Sequence, residues 1–198
     1  MEKYYTGNRD IRSLGYKNFD NTLLFVIDLQ ERLMPAVDES EEIIRNTAAL
    51  LKLCNLMSIK SLATEQYPKG LGRSVESILS ELNDENIFSK TSFNALTQEV
   101  GAYLRENKIK KVIVTGAESH VCVYQTVRAL LEHGLEVFVV EDGISSYSKE
   151  YKELGLRAME AMGALRVNTE MLIYDLTNDS KSPHFKEITQ IVKDLRSY

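Results

Sequence analysis

Three separated residues have side chains that together could attack and cleave a carbonyl compound: Cys122, Asp28 and Lys90. Cys122 follows an apolar segment at 112–114 and a turn of small residues, at the point where a helix is expected to begin. Unsatisfied amides at a helix N-terminus favour a thiolate, which is the nucleophilic form of cysteine. The position of Cys122 therefore predicts a thiol that can attack a substrate.

Asp28 and Lys90 supply the acid–base and electrostatic groups that such a thiol needs. Asp28 follows five apolar residues, 23–27, and a partly desolvated carboxylate there could accept the thiol proton. Lys90 follows a short apolar segment, and its ammonium would stabilise a thiolate and keep the carboxylate ionised. Each residue alone has an ordinary alternative role. Cys122 could be a small core residue, Asp28 a helix or turn cap, and Lys90 a solvated surface residue. Only the combination predicts a catalytic site.

Alternating strand and helix patterns provide the elements that would position these residues. Predicted strands cover 23–28, 59–65, 87–88, 110–116, 135–142 and 164–167. Helical periodicity covers 41–57, 97–107, 124–134, 151–162 and 184–195, and Ser74 could cap a further short helix. This alternation predicts a mostly parallel six-stranded sheet with helices on both faces, which is a three-layer α/β/α Rossmann-like sandwich.

The order of the strands predicts where ligands bind. In the common order 3-2-1-4-5-6, strands one and four are neighbours at the point where the order reverses. Ligands bind beyond the carboxyl ends of the strands at that point. Asp28 ends the first strand and the turn 116–122 follows the fourth, so we expect Asp28 and Cys122 to meet although they are distant in sequence.

Composition argues against several other classes of function. The net charge is −5 and no basic cluster could neutralise several phosphates, so nucleic-acid binding is not expected. No run approaches the roughly 20 apolar residues of a membrane-spanning helix, and residues 1–20 lack the apolar core of a signal peptide. Two cysteines without an export signal predict free thiols and a cytoplasmic location. We expect residues 1–20 to be an N-terminal extension of one domain at 21–198.

Three segments resemble the signature motifs of the isochorismatase-like cysteine hydrolases. They are FVIDLQERL at 25–33, SKTSF at 89–93 and GAESHVCV at 116–123, in the order and strand context of that superfamily. TEQYPKGLG at 64–72 and PHFKEI at 183–188 are similar to the subgroup called isochorismatase domain-containing proteins. The resemblance runs from Asn21 to Leu195 and implies that Asp28 is the base, Lys90 the electrostatic partner and Cys122 the nucleophile.

The resemblance implies further features around the nucleophile. A cis peptide bond is expected between Ala117 and Glu118, with an oxyanion hole formed by the backbone N–H groups of Glu118 and Cys122. His120 is expected to line the pocket or an interface rather than to act as a base. By motif position three other residues lie near the pocket, although they could equally be loop and core residues: Gln66, Tyr67 and Phe93.

The chain departs from its metal-binding relatives. Nicotinamidase-like members hold a divalent metal with an Asp-x-His pair after the second strand, where this sequence has Glu65-Gln66-Tyr67. The three histidines, His120, His133 and His184, lack the spacing of metal ligands. We therefore expect no metal and no other cofactor.

These features predict a cysteine hydrolase that acts on a small-molecule substrate. Isochorismatase itself lacks the cysteine, so the presence of Cys122 favours hydrolysis of an amide or carbamoyl C–N bond through a thioester. A non-catalytic scaffold and a redox-responsive thiol protein are the alternatives. Relatives commonly form dimers or larger rings, so a homo-oligomer is expected, and Tyr4, Tyr5 and Tyr16 could serve its interface.

Overall fold

Six parallel strands form one sheet in the order β3-β2-β1-β4-β5-β6, which confirms the predicted order. The structure, a computed structural model, describes residues 21–197. The expected extension at 1–20, with the three tyrosines suggested for an interface, lies outside the described residues. The strands are β1 (Thr22–Ile27), β2 (Lys60–Gln66), β3 (Ile87–Lys90), β4 (Lys111–Ala117), β5 (Glu136–Ser145) and β6 (Leu165–Val167).

Helices cover both faces of the sheet and complete the predicted three layers. The helices are α1 (Ser40–Met57), α2 (Pro68–Leu71), α3 (Glu76–Leu79), α4 (Gln98–Glu106), α5 (Tyr124–Glu132), α6 (Lys149–Met162), α7 (Thr169–Thr177) and α8 (Phe185–Arg196). Successive side chains of a strand point to opposite faces, so Leu24 and Val26 of β1 pack in the core that contains α1, α7 and α8. Phe25 and Ile27 pack in the core that contains α4, α5 and α6.

The structure corrects two local predictions. Ser74 does not cap a helix, because α3 begins after Val75 without a side-chain cap and the Ser74 N–H donates to Glu65 Oε1 at 2.8 Å. Helix α7 was not predicted. Its exposed Met171 and Tyr174 alternate with buried residues, so apolar side chains occur around the whole helix and obscure its period.

The strands β1 and β4 approach each other closely at the edge where Asp28 and Cys122 were predicted to meet. Gly116 has a φ of +132°, and a Cβ there would lie 2.1 Å from the carbonyl oxygen of Ile27. Only glycine fits this position, because any side chain would separate the two strands. Within residues 21–197, no helix is both long and apolar enough to cross a membrane.

Helix α6 packs directly on the turn that follows β4. Gly155 of α6 lies against Ser119, so that an added Cβ would be 2.7 Å from the Ser119 carbonyl group. The Ser119 hydroxyl also donates to the carbonyl of Tyr151, one turn earlier on the same helix, at 3.0 Å. The position of this turn therefore depends on a glycine in the middle of α6.

Replacement of Gly155 by alanine should therefore be costly despite the higher helix propensity of alanine. We expect Gly155→Ala to lower the free energy of unfolding by about 1–3 kcal/mol, the usual cost of an added methyl group in a packed site. The matched control is Gly101→Ala in α4, where the added Cβ would meet only the flexible end of Arg105 at 3.3 Å. Gly101→Ala should be neutral or stabilising by up to about 1 kcal/mol. If urea denaturation showed that both variants lose the same free energy of unfolding, the proposed close packing at Gly155 would be contradicted.

Candidate active site

Asp28 lies immediately beyond β1, and its carboxylate is completely buried. Its backbone adopts the left-handed conformation with a φ of 54°, which aspartate tolerates better than most residues. The Asp28 N–H donates to the Thr64 carbonyl at 3.1 Å, and Oδ1 accepts from the Thr64 hydroxyl at 2.9 Å. Neighbouring β2 therefore holds both the backbone and the side chain of this residue.

Lys90 is the last residue of β3 and places its ammonium against the carboxylate. Nζ lies 2.6 Å from Asp28 Oδ2, and both side chains of this ion pair are fully buried. Nζ also donates to Gln66 Oε1 at 2.7 Å and, at longer range, to the Ser92 carbonyl at 3.3 Å. The buried charges are thus compensated by each other and by further hydrogen bonds.

Cys122 lies in a π-helical turn, Ser119–Val123, that continues directly into α5, and only 7% of the residue is exposed. Its Sγ is 3.8 Å from Lys90 Nζ, and the thiol also interacts with the Asp28 carboxylate. The structure thus brings together a carboxylate, an ammonium and a thiol from the carboxyl ends of three different strands. The second cysteine, Cys54, lies in the core on the opposite face of the sheet.

Burial dominates the acid–base properties of Asp28. Desolvation raises the pKa of its carboxyl group above the ordinary value, and the Lys90 ammonium and the Thr64 hydroxyl offset part of that effect. A carboxylate with a raised pKa binds a proton more readily than an exposed aspartate does. Asp28 is therefore better suited to accept a proton than an ordinary carboxylate.

The surroundings of Cys122 favour the protonated form of its thiol. Burial and the nearby Asp28 carboxylate raise its pKa to about 12, and Lys90 only partly opposes this rise. The direction of this shift is opposite to the one expected from the helix terminus, because desolvation and the adjacent negative charge outweigh that effect. A reaction at Cys122 requires a base to remove its proton, and Asp28 is adjacent.

A short segment that begins at Glu118 connects β4 to Cys122. The Ala117–Glu118 peptide bond is cis. The Glu118 carbonyl accepts from Val121 N at 3.1 Å and from Val123 N at 3.2 Å, which closes the turn. No hydrogen bond among residues 21–197 uses the Glu118 N–H, so this group is free to donate to a substrate oxygen.

His120 belongs to an aromatic cluster beside the turn and is not part of the ion-pair network. Its Nδ1 lies 2.6 Å from the Ser146 hydroxyl, and its ring contacts those of Tyr147 and Tyr151 at centroid distances of 5.6 and 4.9 Å. The sequence alone does not predict these tyrosines as part of the site. Tyr147 comes just after β5, at the same edge of the sheet as Cys122, and that position is the signal that could have identified it.

The other three predicted pocket residues occupy different environments. Gln66 ends β2 and contacts Lys90 directly. Tyr67 and Phe93 are 55% and 54% exposed on the loops after β2 and β3, so neither is a core residue. Gln30, which is not predicted from the sequence, is completely buried and hydrogen-bonded to the backbone of Gln66.

The residues at the position of the relatives' metal pair do not fit a metal ion. Glu65 Oε1 accepts from the Ser74 N–H at 2.8 Å and lies 3.9 Å from Arg73, while Gln66 Oε1 accepts from Lys90. Among the residues that the structure describes, no group of three or more His, Cys, Asp or Glu side chains could hold a metal. The Glu65 carboxylate has a structural role instead.

Comparison with known proteins assigns the chain to a family. The isochorismatase domain matches residues 22–171, which include all strands of the sheet and the three clustered residues. The chain belongs to the isochorismatase family. The predicted resemblance to this family is therefore confirmed. The similarity extends to the subgroup of isochorismatase domain-containing proteins. Mouse isochorismatase domain-containing protein 2A is 36% identical over 187 residues, which cover 92% of this chain and 87% of the mouse protein.

Solved structures of similar proteins extend this comparison. The MAR1 ribonuclease of Caenorhabditis elegans superposes on this isochorismatase family protein with a TM-score of 0.84 and 38% identity, covering 88% of this chain and 90% of that one. YcaC of Escherichia coli, described as an octameric hydrolase of unknown specificity, has a TM-score of 0.82 and 20% identity. It covers 90% of this chain and 91% of its own, and shows the fold alone.

Removal of the ammonium should leave an uncompensated buried carboxylate. We expect Lys90→Met to lower the free energy of unfolding at neutral pH by about 3–5 kcal/mol, as for other broken buried ion pairs. Without Lys90, burial raises the pKa of Asp28 further, so stability should recover as the pH falls through that raised value and Asp28 becomes neutral.

Urea denaturation at neutral and mildly acidic pH measures both effects. Lys60→Met is the matched control, because Lys60 is exposed at the start of β2. Surface ion pairs contribute up to about 1 kcal/mol. If Lys90→Met lowered the free energy of unfolding by less than that, the conclusion that Lys90 compensates a buried charge would be contradicted.

Proposed function

We propose that this protein is a metal-independent cysteine hydrolase that cleaves an amide or carbamoyl C–N bond in a small molecule. The buried Asp28–Lys90 ion pair, whose ammonium lies 3.8 Å from Cys122 Sγ, is the observation that carries the proposal. A fold needs no buried ion pair beside a thiol for its stability, because apolar side chains of similar volume serve as well or better. Membership of the isochorismatase family supports a hydrolase.

In the first step Cys122 attacks the substrate carbonyl. The Sγ–C bond forms as the thiol proton moves to Asp28 and the electron pair of the carbonyl double bond moves to oxygen. The N–H groups of Glu118 and Cys122 donate to the resulting oxyanion, and each such donor is worth about 3–4 kcal/mol in a comparable acyl-transfer site. Lys90 stabilises the negative charge that develops on sulfur during proton transfer.

The tetrahedral intermediate then collapses to a thioester. The C=O bond re-forms, the C–N bond breaks, and Asp28 returns its proton to the departing nitrogen, so that ammonia or an amine leaves. In the second half of the cycle Asp28 takes a proton from water while the water oxygen attacks the thioester carbon. The C–S bond breaks, sulfur regains the proton from Asp28, and a carboxylic or carbamic acid leaves.

The setting of the enzyme belongs to the same proposal. Free Cys54 and Cys122 are consistent with a reducing, cytoplasmic compartment. Exposed Tyr67, Phe93 and Tyr147 lie at the carboxyl edge of the sheet, and they support an assembly of several copies around the site. YcaC, which has the same fold, is described as octameric.

RNA is a second candidate substrate, because the C. elegans relative is named a ribonuclease. The described site argues for the amide substrate instead. Its nucleophile and ion pair are almost entirely buried, and the whole chain carries a net charge of −5, which disfavours binding of a polyanion. The experiment described next therefore also measures cleavage of RNA.

Mass spectrometry of the intact protein after incubation with a panel of small amides and carbamoyl compounds tests the reaction. We expect an acyl adduct on Cys122, with turnover lost in Cys122→Ala and retained in Cys54→Ala, which removes the other thiol. Asp28→Asn should reduce turnover by at least about 100-fold, the usual contribution of a general base. Cleavage of RNA that survives in Cys122→Ala, or amide turnover without need of either residue, would contradict the mechanism.

A further inference from the structure

Two glutamines form a hydrogen-bonded chain that ends at the Lys90 ammonium. Gln30, two residues beyond Asp28, is completely buried, and its Oε1 accepts from the Gln66 N–H at 2.7 Å. Its Nε2 donates to the Gln66 carbonyl at 3.0 Å and to the Gly72 carbonyl at 2.7 Å. The side-chain amide of Gln30 thus pairs with the backbone of Gln66 as an adjacent strand would, and holds the end of β2 in place.

The side chain of Gln66 continues the chain to the active site. Its Nε2 donates to the Thr91 carbonyl at 2.8 Å, and its Oε1 accepts from Lys90 Nζ at 2.7 Å. The opposite orientation of this amide would place an NH₂ group against the ammonium and leave the Thr91 carbonyl without its donor. The two neighbours therefore determine that an oxygen faces Lys90.

The ammonium has three N–H groups, and two of them have short hydrogen bonds. Those two bonds are to Asp28 Oδ2 at 2.6 Å and to Gln66 Oε1 at 2.7 Å. The third N–H is shared between the Ser92 carbonyl at 3.3 Å and Cys122 Sγ at 3.8 Å, and both of these contacts are longer. This weakly bound donor is the one that can strengthen its bond when sulfur becomes negative.

We propose that Gln66, held by Gln30, is a positioning residue that keeps one N–H of Lys90 available for the Cys122 thiolate. This inference rests on the proposed function. A neutral amide oxygen suits the role, because it accepts a hydrogen bond without cancelling the charge that sulfur needs. A carboxylate at the same point would be a second counter-ion, and would weaken the effect of the ammonium on the thiolate.

The rate of alkylation of Cys122 by iodoacetamide, measured against pH in a Cys54→Ala background, tests the inference without any substrate. We expect Gln66→Glu, which changes charge with little change in shape, to slow alkylation about tenfold at a fixed neutral pH. That factor equals a rise of one unit in the pKa of the thiol. Gln66→Met, which removes the acceptor, should cause a smaller decrease. Gln98→Glu, the same change at an exposed residue of α4, should have no effect.

The outcomes separate this inference from the proposed function. A shifted profile in Lys90→Met with an unshifted one in both Gln66 variants would overturn the positioning role and leave the hydrolase proposal intact. Unshifted profiles in all three variants would overturn both. If circular dichroism shows that Gln66→Glu does not fold, the pH profile of alkylation in Gln66→Met decides whether the positioning role holds. Lower stability without a shifted profile would show a merely structural role and would also overturn the inference.

Discussion

The ion pair between Asp28 and Lys90 is the interaction on which the rest of the site depends. Both side chains are removed from water, which for isolated charges would cost several kcal/mol each. The pair is stable because Thr64 donates to the carboxylate and Gln66 accepts from the ammonium. The groups come from three adjacent strands, β1, β2 and β3, or from the residue directly after one of them, so the observed strand order is what brings the charges together.

The principal elements and residues of the site follow from the sequence because parallel strands converge at their carboxyl ends. An apolar segment that ends in aspartate, another that ends near lysine, and a third followed by a small-residue turn and cysteine predict one shared edge. The observed β3-β2-β1-β4 order places those three ends side by side. The proximity of the three residues can be predicted without any interatomic distance, because the strand order alone brings them together.

What the sequence does not predict depends on distances within the folded site. A cysteine at the start of a helix suggests a thiolate, but burial and the adjacent carboxylate raise the pKa of Cys122 to about 12. Gln30 resembles any polar residue after a strand, and its role appears only when its amide is seen paired with Gln66. Ser74 resembles a helix cap, but the helix begins after Val75, and the Ser74 N–H donates to the buried Glu65. In each case a tertiary partner decides between alternatives that local sequence leaves equal.

We infer that Cys122 rests as a thiol and gives its proton to Asp28 only during attack. The infrared S–H stretching band of Cys122, identified by its loss in Cys122→Ser, tests this claim directly. Our account predicts that the band persists throughout the neutral pH range and disappears only in strongly alkaline solution. Absence of the band at neutral pH would show a resting thiolate, and would contradict the assignment of Asp28 as the base.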